Sequence, residues 1–291
     1  MNGSKKVIGI GEILWDMLPE GKQLGGAPTN FAYHTRQLGH HSSIISSIGN
    51  DELGHEIIQN LKDTGIISYI DTIDKPTGTV SVQLDKNGIP NYVIHEDVAW
   101  DFITPSESAL EFASQADAIC FGSLAQRAET SYYSIQEILK TVPDTALKVF
   151  DINMRQRFYS ENIISESLKK ANVLKINDEE ILVFAEMFGL SGDEFEIMHQ
   201  ILENYKLNIL ALTKGAEGSW LISRDEDSYL DTPKVNIADT VGAGDSFTAG
   251  LVAGLLNKKP LKDIHRSAVD ISAFVCTQKG GTPTLPAHLI N

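Results

Sequence analysis

The sequence predicts an α/β fold with a doubly wound, mostly parallel central sheet flanked by helices and a small β-sheet lid. Short apolar runs alternate with helical patterns along most of the chain, and runs that are apolar on both faces suit strands buried in a parallel sheet. One region breaks this rhythm with two strand patterns and no helix between them. We therefore expect a single domain over residues 1–291, with a lid built from about 12–24 and 78–104 and the remainder as the α/β core.

Seven apolar runs are the candidate strands of the core sheet. They occupy residues 7–11, 43–49, 118–122, 148–153, 173–177, 209–213 and 219–222. Between the early runs, apolar residues recur at helical spacing, which predicts one helix that ends before Gly39 and another that ends before Gly65.

The lid is predicted from segments that do not follow the alternation. Residues 14–23 mix polar and apolar side chains around the sequence PEG at 19–21. Residues 79–84 and 91–96 flank DKNG at 85–88, and Asn-Gly in such a position is a hairpin signal. Paired strands without a helix fit poorly in a parallel sheet, so we expect a flap that closes over a ligand. The alternative is an antiparallel edge on the same sheet, and periodicity does not separate the two.

Composition limits the classes of partner. Lys plus Arg number 24 and Asp plus Glu number 39, which gives a net charge of -15. Such a surface repels nucleic acid and anionic membranes, so we expect neither as a partner. The chain has no uninterrupted apolar stretch of about 18 residues, so we expect no membrane span. The start MNGSKKVIGIGE lacks the apolar region of a signal peptide. We therefore expect a cytoplasmic protein. Cys120 and Cys276 are set among apolar neighbours, which predicts that both are free thiols in the core.

The most informative segment is DTVGAGD at residues 239–245, which opens a helix pattern rich in Ala, Gly and Leu. Each glycine weakens a helix by about 1 kcal/mol relative to alanine, but leaves backbone N–H groups unhindered at the positive helix end. Such a turn suits a phosphoryl group, and Asp245 is placed to take a proton from an attacking hydroxyl. The alternative is that Asp245 only complements the helix dipole and that the glycines serve close packing.

The complete heptapeptide resembles the C-terminal signature of the PfkB-type, or ribokinase-like, carbohydrate kinases. GGAPTNFA at 25–32 resembles the N-terminal signature of the same family, and IGNDELG at 48–54 resembles a further loop. The resemblance extends from Gly9 to Pro286. It implies a ribokinase-like fold, ATP and Mg²⁺ as cofactors, and transfer of the γ-phosphoryl group of ATP to a sugar hydroxyl.

The resemblance also assigns roles to residues. It implies Asp245 as the catalytic base, with an anion hole formed by the amides of Gly242, Ala243 and Gly244. It implies that the sugar hydroxyls are held by Asp16, Gly25, Gly26 and Asn30. Without the family, Asp16 is equally a solvated turn residue and 25–30 a plain loop. An aspartate at a positive helix end is expected to be a weak base, which suffices if proton transfer comes late.

Two elements resemble segments on the phosphate side. NDEE at 177–180 implies that Asn177 and Glu180 position Mg²⁺, through water, and the phosphate; the same spacing is also a capping box, and both readings hold if the capped helix starts at the site. DINMR at 151–155 ends a strand, where α/β enzymes bind ligands, and implies that Arg155 faces the transferred phosphate. The alternative is a surface arginine paired with a helix carboxylate.

The nucleotide and a monovalent cation are placed by resemblance alone. TKGAEG at 213–218 resembles the family's nucleotide-side loop. The resemblance implies ATP contacts from Asn177, Thr213, Lys214, Gly215, Gly218 and Gly244. Many relatives bind a cation such as K⁺ through backbone oxygens, which here implies Asp239, Val241 and the loop 277–284.

The substrate follows from the segment GEILWDMLP at 11–19, which together with 25–30 most resembles bacterial fructokinases. This implies direct in-line transfer to D-fructose, giving fructose 6-phosphate. A 2-keto-3-deoxygluconate kinase is the nearest alternative, because its branch shares the Asp16 position, but its substrate carboxylate needs an extra basic partner in the lid. A non-catalytic sugar-binding regulator would have lost the base, the glycines or the metal element, and all three are present here. A nicotinamide-dependent enzyme is disfavoured, because GIGEIL at 9–14 lacks the third glycine of a nicotinamide-binding turn.

Besides sugar and ATP, the expected partner is a second copy of the chain. Lid sheets in this family pair between subunits, and the residues that would furnish such a face are Val80, Val82, Val93 and Ile94. The alternative is that these residues bury against their own domain.

Overall fold

The computed structural model describes residues 3–19, 21–84 and 90–290, and its strands form two sheets. The strands of the central sheet are β1 (Lys6–Ile10), β4 (His41–Gly49), β5 (Ile67–Ile73), β8 (Ala118–Phe121), β9 (Leu147–Asp151), β10 (Val173–Asn177), β11 (Ile209–Thr213), β12 (Ser219–Ser223) and β13 (Asp227–Leu230). Those of the small sheet are β2 (Leu14–Leu18), β3 (Gly21–Gly25), β6 (Gly78–Leu84) and β7 (Pro90–Ile94).

The central sheet has the order β13-β12-β11-β10-β9-β8-β1-β4-β5. The strands from β11 to β5 in this order pair in parallel, and β12 and β13 add an antiparallel edge. The order reverses direction at β1, because β4 lies on one side of it and β8 on the other. Such a switch point is where doubly wound sheets form a crevice at the carboxyl ends of their strands.

Helices cover both faces of this sheet. They are α1 (Ala27–Gln37), α2 (Glu52–Lys62), α3 (Glu107–Ala113), α4 (Glu129–Thr141), α5 (Glu161–Leu168), α6 (Asp178–Phe188), α7 (Glu194–Asn204), α8 (Ala243–Leu256), α9 (Leu261–Cys276) and α10 (Ala287–Ile290). Among the described residues, no helix combines the length and hydropathy needed to cross a bilayer.

The core lies on both faces because successive strand residues point in opposite directions. Ile8 and Ile10 of β1 belong to a buried cluster that includes residues of α3 to α7. Val7 of the same strand belongs to a second cluster with residues of α1, α8 and α9. This two-sided burial explains why the strands read as continuous apolar runs, and it confirms the predicted fold class.

All seven predicted core strands are present, with ends that differ from the prediction by at most two residues. The helices predicted before Gly39 and Gly65 are α1 and α2. Two edge strands, β5 and β13, were not predicted. Their residues are mostly half-buried or exposed, so they lack the apolar runs that identify strands in the middle of the sheet.

The small sheet is separate from the central sheet and has the order β3-β2-β6-β7. The alternative that its hairpin forms an edge of the central sheet is therefore wrong. Strands β6 and β7 pair antiparallel, whereas the Asn-Gly turn predicted between them lies outside the described residues. Val80 and Ile94 are only 8% and 9% exposed and pack into the core of their own chain. At these two residues, the packing favours burial against their own domain over a face for a dimer. The side chain of Val82 lies outside the described part.

The carboxylate of Asp51 is one of the links between the small sheet and the core. Asp51 caps α2, because its Oδ1 accepts the Gly54 N–H at 2.8 Å. The same side chain accepts the N–H of Thr77 at 2.8 Å and its hydroxyl at 2.6 Å. Thr77 immediately precedes β6, so the start of α2 and the entry to the small sheet share one hydrogen-bonded centre.

Candidate active site

The carboxyl ends of β1, β9 and β10 and the first turn of α8 meet at the crevice beside the switch point. Gly242 precedes α8 in the left-handed conformation, with φ 74°. A Cβ atom at this position would lie 2.6 Å from the main chain of Gly281. Both the conformation and the close approach therefore require glycine.

The first turn of α8 presents free amide groups. No side chain caps it, and within the described residues the N–H groups of Gly242, Gly244 and Asp245 have no acceptor. The N–H of Ala243 makes a 3.3 Å hydrogen bond with the Thr240 carbonyl. Of the three amides predicted to bind the anion, those of Gly242 and Gly244 are thus free and that of Ala243 already has a partner. Free amides at a helix start attract anions.

Asp245 lies in the same turn and is half-buried. The Nδ2 of Asn30 in α1 donates a 2.8 Å hydrogen bond to its Oδ2. Burial, followed by the nearby Asp151 carboxylate, raises the pKa of Asp245 to about 6, against the opposing effects of Asn30, Lys175 and Arg155. The weak base expected at a positive helix end is therefore not found, because burial outweighs the helix dipole.

Lys175 of β10 provides a buried positive charge beneath this turn, and the sequence analysis did not identify it. Its Nζ lies 3.1 Å from Asp151 Oδ1, and the hydroxyl of Thr248 donates to Asp151 Oδ2 at 2.9 Å. A Cβ at Gly244 would lie 3.0 Å from the same Nζ. Burial alone would lower the pKa of Lys175, but Asp151, Glu180 and Asp245 outweigh it and hold the pKa above its usual value.

Asn177 and Glu180 form the capping box that their spacing predicts. Asn177 Oδ1 accepts the Glu180 N–H at 2.8 Å, and Glu180 Oε2 accepts the Asn177 N–H at 2.9 Å. The other oxygen, Oε1, accepts the Met154 N–H at 2.8 Å. Burial raises the pKa of Glu180 although Lys175 opposes it. Each carboxylate oxygen keeps a further lone pair for a water molecule.

Arg155 is exposed at the rim of the site. Its Nη1 donates to the carbonyl of Met154 at 3.1 Å, and within the described residues it has no carboxylate partner. Its charge lowers the pKa of Glu12, Asp245 and Glu180. The alternative of an arginine paired with a helix carboxylate is therefore not what the structure has.

The predicted sugar-side residues lie along the small sheet and the start of α1, and Asn30 is the one bonded to Asp245. Asp16 of β2 lies against Gly25, where a Cβ atom would collide with its carboxylate, and a Cβ at Gly26 would collide with the carbonyl of Glu12. The chain then enters α1, which carries Asn30. Burial and the charge of Asp239 raise the pKa of Asp16 to about 6, so Asp16 is not a freely solvated turn residue.

A cavity of about 480 Å³ lies on the other side of the α8 turn, within the usual range of ligand pockets. The residues that line it include Thr213, Gly215, Gly218, Thr240, Gly244 and Cys276. Lys214 is not among them, because its ammonium group lies 3.0 Å from Glu194 and 3.3 Å from Glu217. Four of the six residues predicted to contact the nucleotide therefore surround one cavity, and Asn177 and Lys214 are not among its lining residues.

Asp239 connects the segment before α8 to the loop after α9. Its Oδ1 accepts the Val241 N–H at 3.1 Å and its Oδ2 accepts the Gly280 N–H at 3.0 Å. The two segments predicted to hold a monovalent cation are thus adjacent. In the described part of the chain, no three His, Cys, Asp or Glu side chains form a metal cluster. Cys120 and Cys276 are both free thiols.

Comparisons with known proteins agree with this geometry. The uncharacterized sugar kinase PH1459 of Pyrococcus horikoshii is 30% identical over 96% of this chain and 92% of its own, and its structure in complex with ATP superposes with a TM-score of 0.80. The fructokinase of Salmonella typhimurium is 29% identical over 97% of this chain and 96% of its own. A fructokinase of Xylella fastidiosa with bound ATP, 21% identical over 97% of this chain and 95% of its own, shares the fold with a TM-score of 0.85.

The match to a family covers almost the whole chain. Residues 20–288 fit the pfkB family carbohydrate kinases, a range that includes three of the four strands of the small sheet, the α8 turn and the loop after α9. The resemblance inferred from the two glycine-rich signatures is thereby confirmed. The chain belongs to the pfkB family of carbohydrate kinases.

Proposed function

We propose that this kinase transfers the γ-phosphoryl group of ATP directly to D-fructose, giving fructose 6-phosphate, with Asp245 as the base. The observation that carries the proposal is the 2.8 Å hydrogen bond from Asn30 to Asp245. It joins the sugar-side segment to the carboxylate that lies beside the free amides of α8. The 29% identity to a fructokinase along 96% of that enzyme supports the choice of sugar.

The sugar lies, in this proposal, between the small sheet and the first turn of α8. Asp16 accepts hydrogen bonds from sugar hydroxyls, and Gly25 and Gly26 allow the main chain to approach the ring. Asn30 donates to a hydroxyl as well as to Asp245. The small sheet acts as a lid that closes on the sugar and excludes water.

Asp245 then takes the proton of the hydroxyl that attacks. The hydroxyl oxygen forms a bond to the γ-phosphorus as the bond from phosphorus to the bridging oxygen of ADP breaks. Because the pKa of Asp245 is raised to about 6, its carboxylate is a better proton acceptor than an ordinary aspartate and is still ionised at neutral pH.

Negative charge on the transferred group is stabilised by three kinds of donor. The free amides of Gly242 and Gly244 point from a positive helix end, Lys175 provides a buried ammonium group below them, and Arg155 closes the open side. Fixed donors of this kind stabilise the transition state without reorganisation. Because the protein carries a net charge of -15, these local groups are what makes the site attractive to phosphate.

The chain also fits the implied cofactors. The cavity of about 480 Å³ that borders Gly244 has room for a nucleotide, and the relative PH1459 binds ATP. Glu180 and Asn177 spend their oxygens on backbone amides, so they would hold Mg²⁺ through its waters. When bound, Mg²⁺ supplies neutralisation of phosphate charge. Carbonyl groups near Asp239 and Val241 would hold K⁺.

The basic residues on and directly beside the small sheet support a neutral sugar over 2-keto-3-deoxygluconate. Among the described strand residues of that sheet, Lys22 is the basic one, and it pairs with Glu56 and lies 5.2 Å from the ring of Trp15. Beside the sheet, Arg127 donates to both oxygens of Asp101, at 2.8 and 3.0 Å. Both side chains already have acidic partners, so neither is free to bind a substrate carboxylate.

The test is ADP formation with Mg²⁺ and K⁺ present, measured with fructose, ribose, 2-keto-3-deoxygluconate, adenosine and fructose 6-phosphate. We expect the highest kcat/KM with fructose, and phosphate on the C6 hydroxyl by NMR. A preference for 2-keto-3-deoxygluconate would overturn the choice of sugar and leave the mechanism. Sugar binding without ADP formation would support a regulator and overturn the mechanism.

A further inference from the structure

Glu12 is a buried carboxylate that the proposed reaction does not use. It lies two residues after the end of β1 and is 3% exposed, and its Oε2 has no hydrogen-bond partner in the described part of the chain. Gly26 packs against its carbonyl, which places Glu12 beside the start of α1. Since an unpartnered buried carboxylate oxygen is costly, its position at the reaction centre requires an explanation.

Glu12, whose Oε2 is unpartnered, lines a cavity together with Asp245. This cavity of about 10 Å³ is lined by Glu12, Asp245, Asp151 and Asn153, with apolar walls that include Phe31 and Phe121. A volume of roughly 10–15 Å³ holds one water molecule, provided that two or more polar groups bind it. The carboxylates of Glu12 and Asp245 and the side chain of Asn153 satisfy that condition.

The charges around Glu12 give it a high affinity for a proton. Burial raises its pKa to about 7, and the charge of Asp245 adds to the increase, while its own amide, Arg155 and the Ala27 amide oppose it. The other ionisable groups around this cavity are Asp151, Lys175 and Cys120. Burial also raises the pKa of Asp245, to about 6, so the two carboxyl groups that line this cavity both have a raised pKa.

We propose that Glu12 is a second proton acceptor of this active site, connected to Asp245 by one water molecule in the cavity they share. The sugar O–H bond breaks as Asp245 takes the proton. Asp245 gives that proton to the water, and the water gives one of its own protons to Glu12, so the carboxyl O–H of Glu12 is the bond that remains. The proton returns to solvent after the product leaves. The inference rests on the proposed function and extends it.

Two consequences distinguish this role from a structural one. Both carboxyl groups must be ionised before transfer begins, so acid removes activity in two coupled ionisations. A Glu12 that only supports the start of α1 would affect the rate without contributing an ionisation. The slope of the logarithm of the rate against pH therefore identifies the proton acceptor, whereas the maximum rate does not.

The experiment is single-turnover phosphoryl transfer by rapid quench, with saturating fructose and ATP, from about pH 5 to about pH 8. For the wild type we expect the logarithm of the rate to rise with a slope of about two on the acid side, and for Glu12→Gln with a slope of about one. We also expect Glu12→Gln to be about tenfold slower at the top of this range. Glu12→Asp, which keeps an ionisable group, should recover the second ionisation.

Asp71→Asn is the matched control. Asp71 is a half-buried carboxyl of the edge strand β5 whose pKa is also raised by burial, and it borders no part of the site. We expect its slope and rate to equal those of the wild type. The KM values for fructose and ATP, with circular dichroism, verify that each variant is folded. If Glu12→Gln does not fold, Glu12→Ala replaces it, with the same expected slope of about one.

The outcomes separate the two proposals. An unchanged slope in Glu12→Gln, or a slope of about one already in the wild type, overturns the role of Glu12 and leaves the kinase mechanism. Absence of sugar-dependent ADP formation by the wild type overturns the proposed function, and the role of Glu12 with it. A lower rate with both slopes unchanged assigns Glu12 to the support of α1 and also overturns the proposal.

Discussion

Two helices begin at the carboxyl edge of the central sheet, and their first turns are built in opposite ways. The first turn of α6 is closed by its own side chains, since Asn177 and Glu180 each accept the other's amide hydrogen. The first turn of α8 has no side-chain cap and begins at a left-handed glycine. A helix start without a cap loses about 1 kcal/mol of stability. The difference indicates that the first amides of α6 are satisfied by side chains of the protein itself, whereas the first amides of α8 remain free to bind a ligand.

The strongest test of this comparison is Asp245→Asn in the first turn of α8. We expect kcat to fall by about a thousandfold, because the variant cannot accept the hydroxyl proton. Fructose binding, measured by calorimetry, should persist, since the new amide oxygen still accepts from Asn30. Glu179→Gln, an exposed acid in the first turn of α6, is the control and should leave kcat unchanged. Near-normal turnover in Asp245→Asn would contradict the mechanism.

A smaller effect is expected from Gly242→Ala. The added methyl group meets the main chain of Gly281, 2.6 Å away, and displaces the amides that bind the transferred group, so we expect kcat to fall by about a hundredfold. Gly189→Ala is the matched control, because Gly189 ends α6 with φ 64° and has open space around it. Both variants should lose about 1–2 kcal/mol in urea unfolding. An equal loss of kcat in both would show that backbone strain alone explains the effect.

The smallest effect is expected at the capped helix. Asn177→Ala removes the side chain that caps α6 and should lower the free energy of unfolding by about 1 kcal/mol. If Asn177 also orients the water around Mg²⁺, the Mg²⁺ concentration for half-maximal rate should rise about tenfold. Asp193→Ala removes the equivalent cap of α7, which pairs with Glu196 away from the site. Equal Mg²⁺ dependence in the two variants would restrict Asn177 to capping.

The parts of the fold predicted from sequence are those where burial imposes a pattern. Strands buried on both faces give apolar runs, and the whole middle of the central sheet was found in this way. Strands β5 and β13 were missed because an edge strand packs on fewer neighbours and tolerates polar side chains. The pairing of β6 with β7 was predicted from the Asn-Gly sequence between them, because these two residues favour the conformation of a tight hairpin turn.

The site was predicted where a main-chain conformation demands a residue type, and missed where charges meet across the fold. Gly242 and Gly244 were identified because glycine leaves the amides of a helix start unhindered, and at Gly242 the structure adds a left-handed conformation and the close approach of Gly281. Lys175 and Glu12 were not, because their partners lie far away in sequence. A signal existed for Lys175, since a lysine inside the apolar strand VLKIN needs a buried acid. The raised pKa of Asp245 had no such signal in the sequence, because the burial of a helix start depends on the packing of the whole crevice.

The carboxylate of Asp51 serves the first turn of α2 and the segment before β6 together. If the small sheet swings away far enough to break the two bonds to Thr77, Asp51 keeps only the Gly54 amide, and its negative charge must be rehydrated. In the proposed mechanism, release of the phosphorylated sugar and loosening of α2 therefore depend on one shared free-energy difference. We expect a substitution that weakens this carboxylate as an acceptor to change both the rate of product release and the stability of α2.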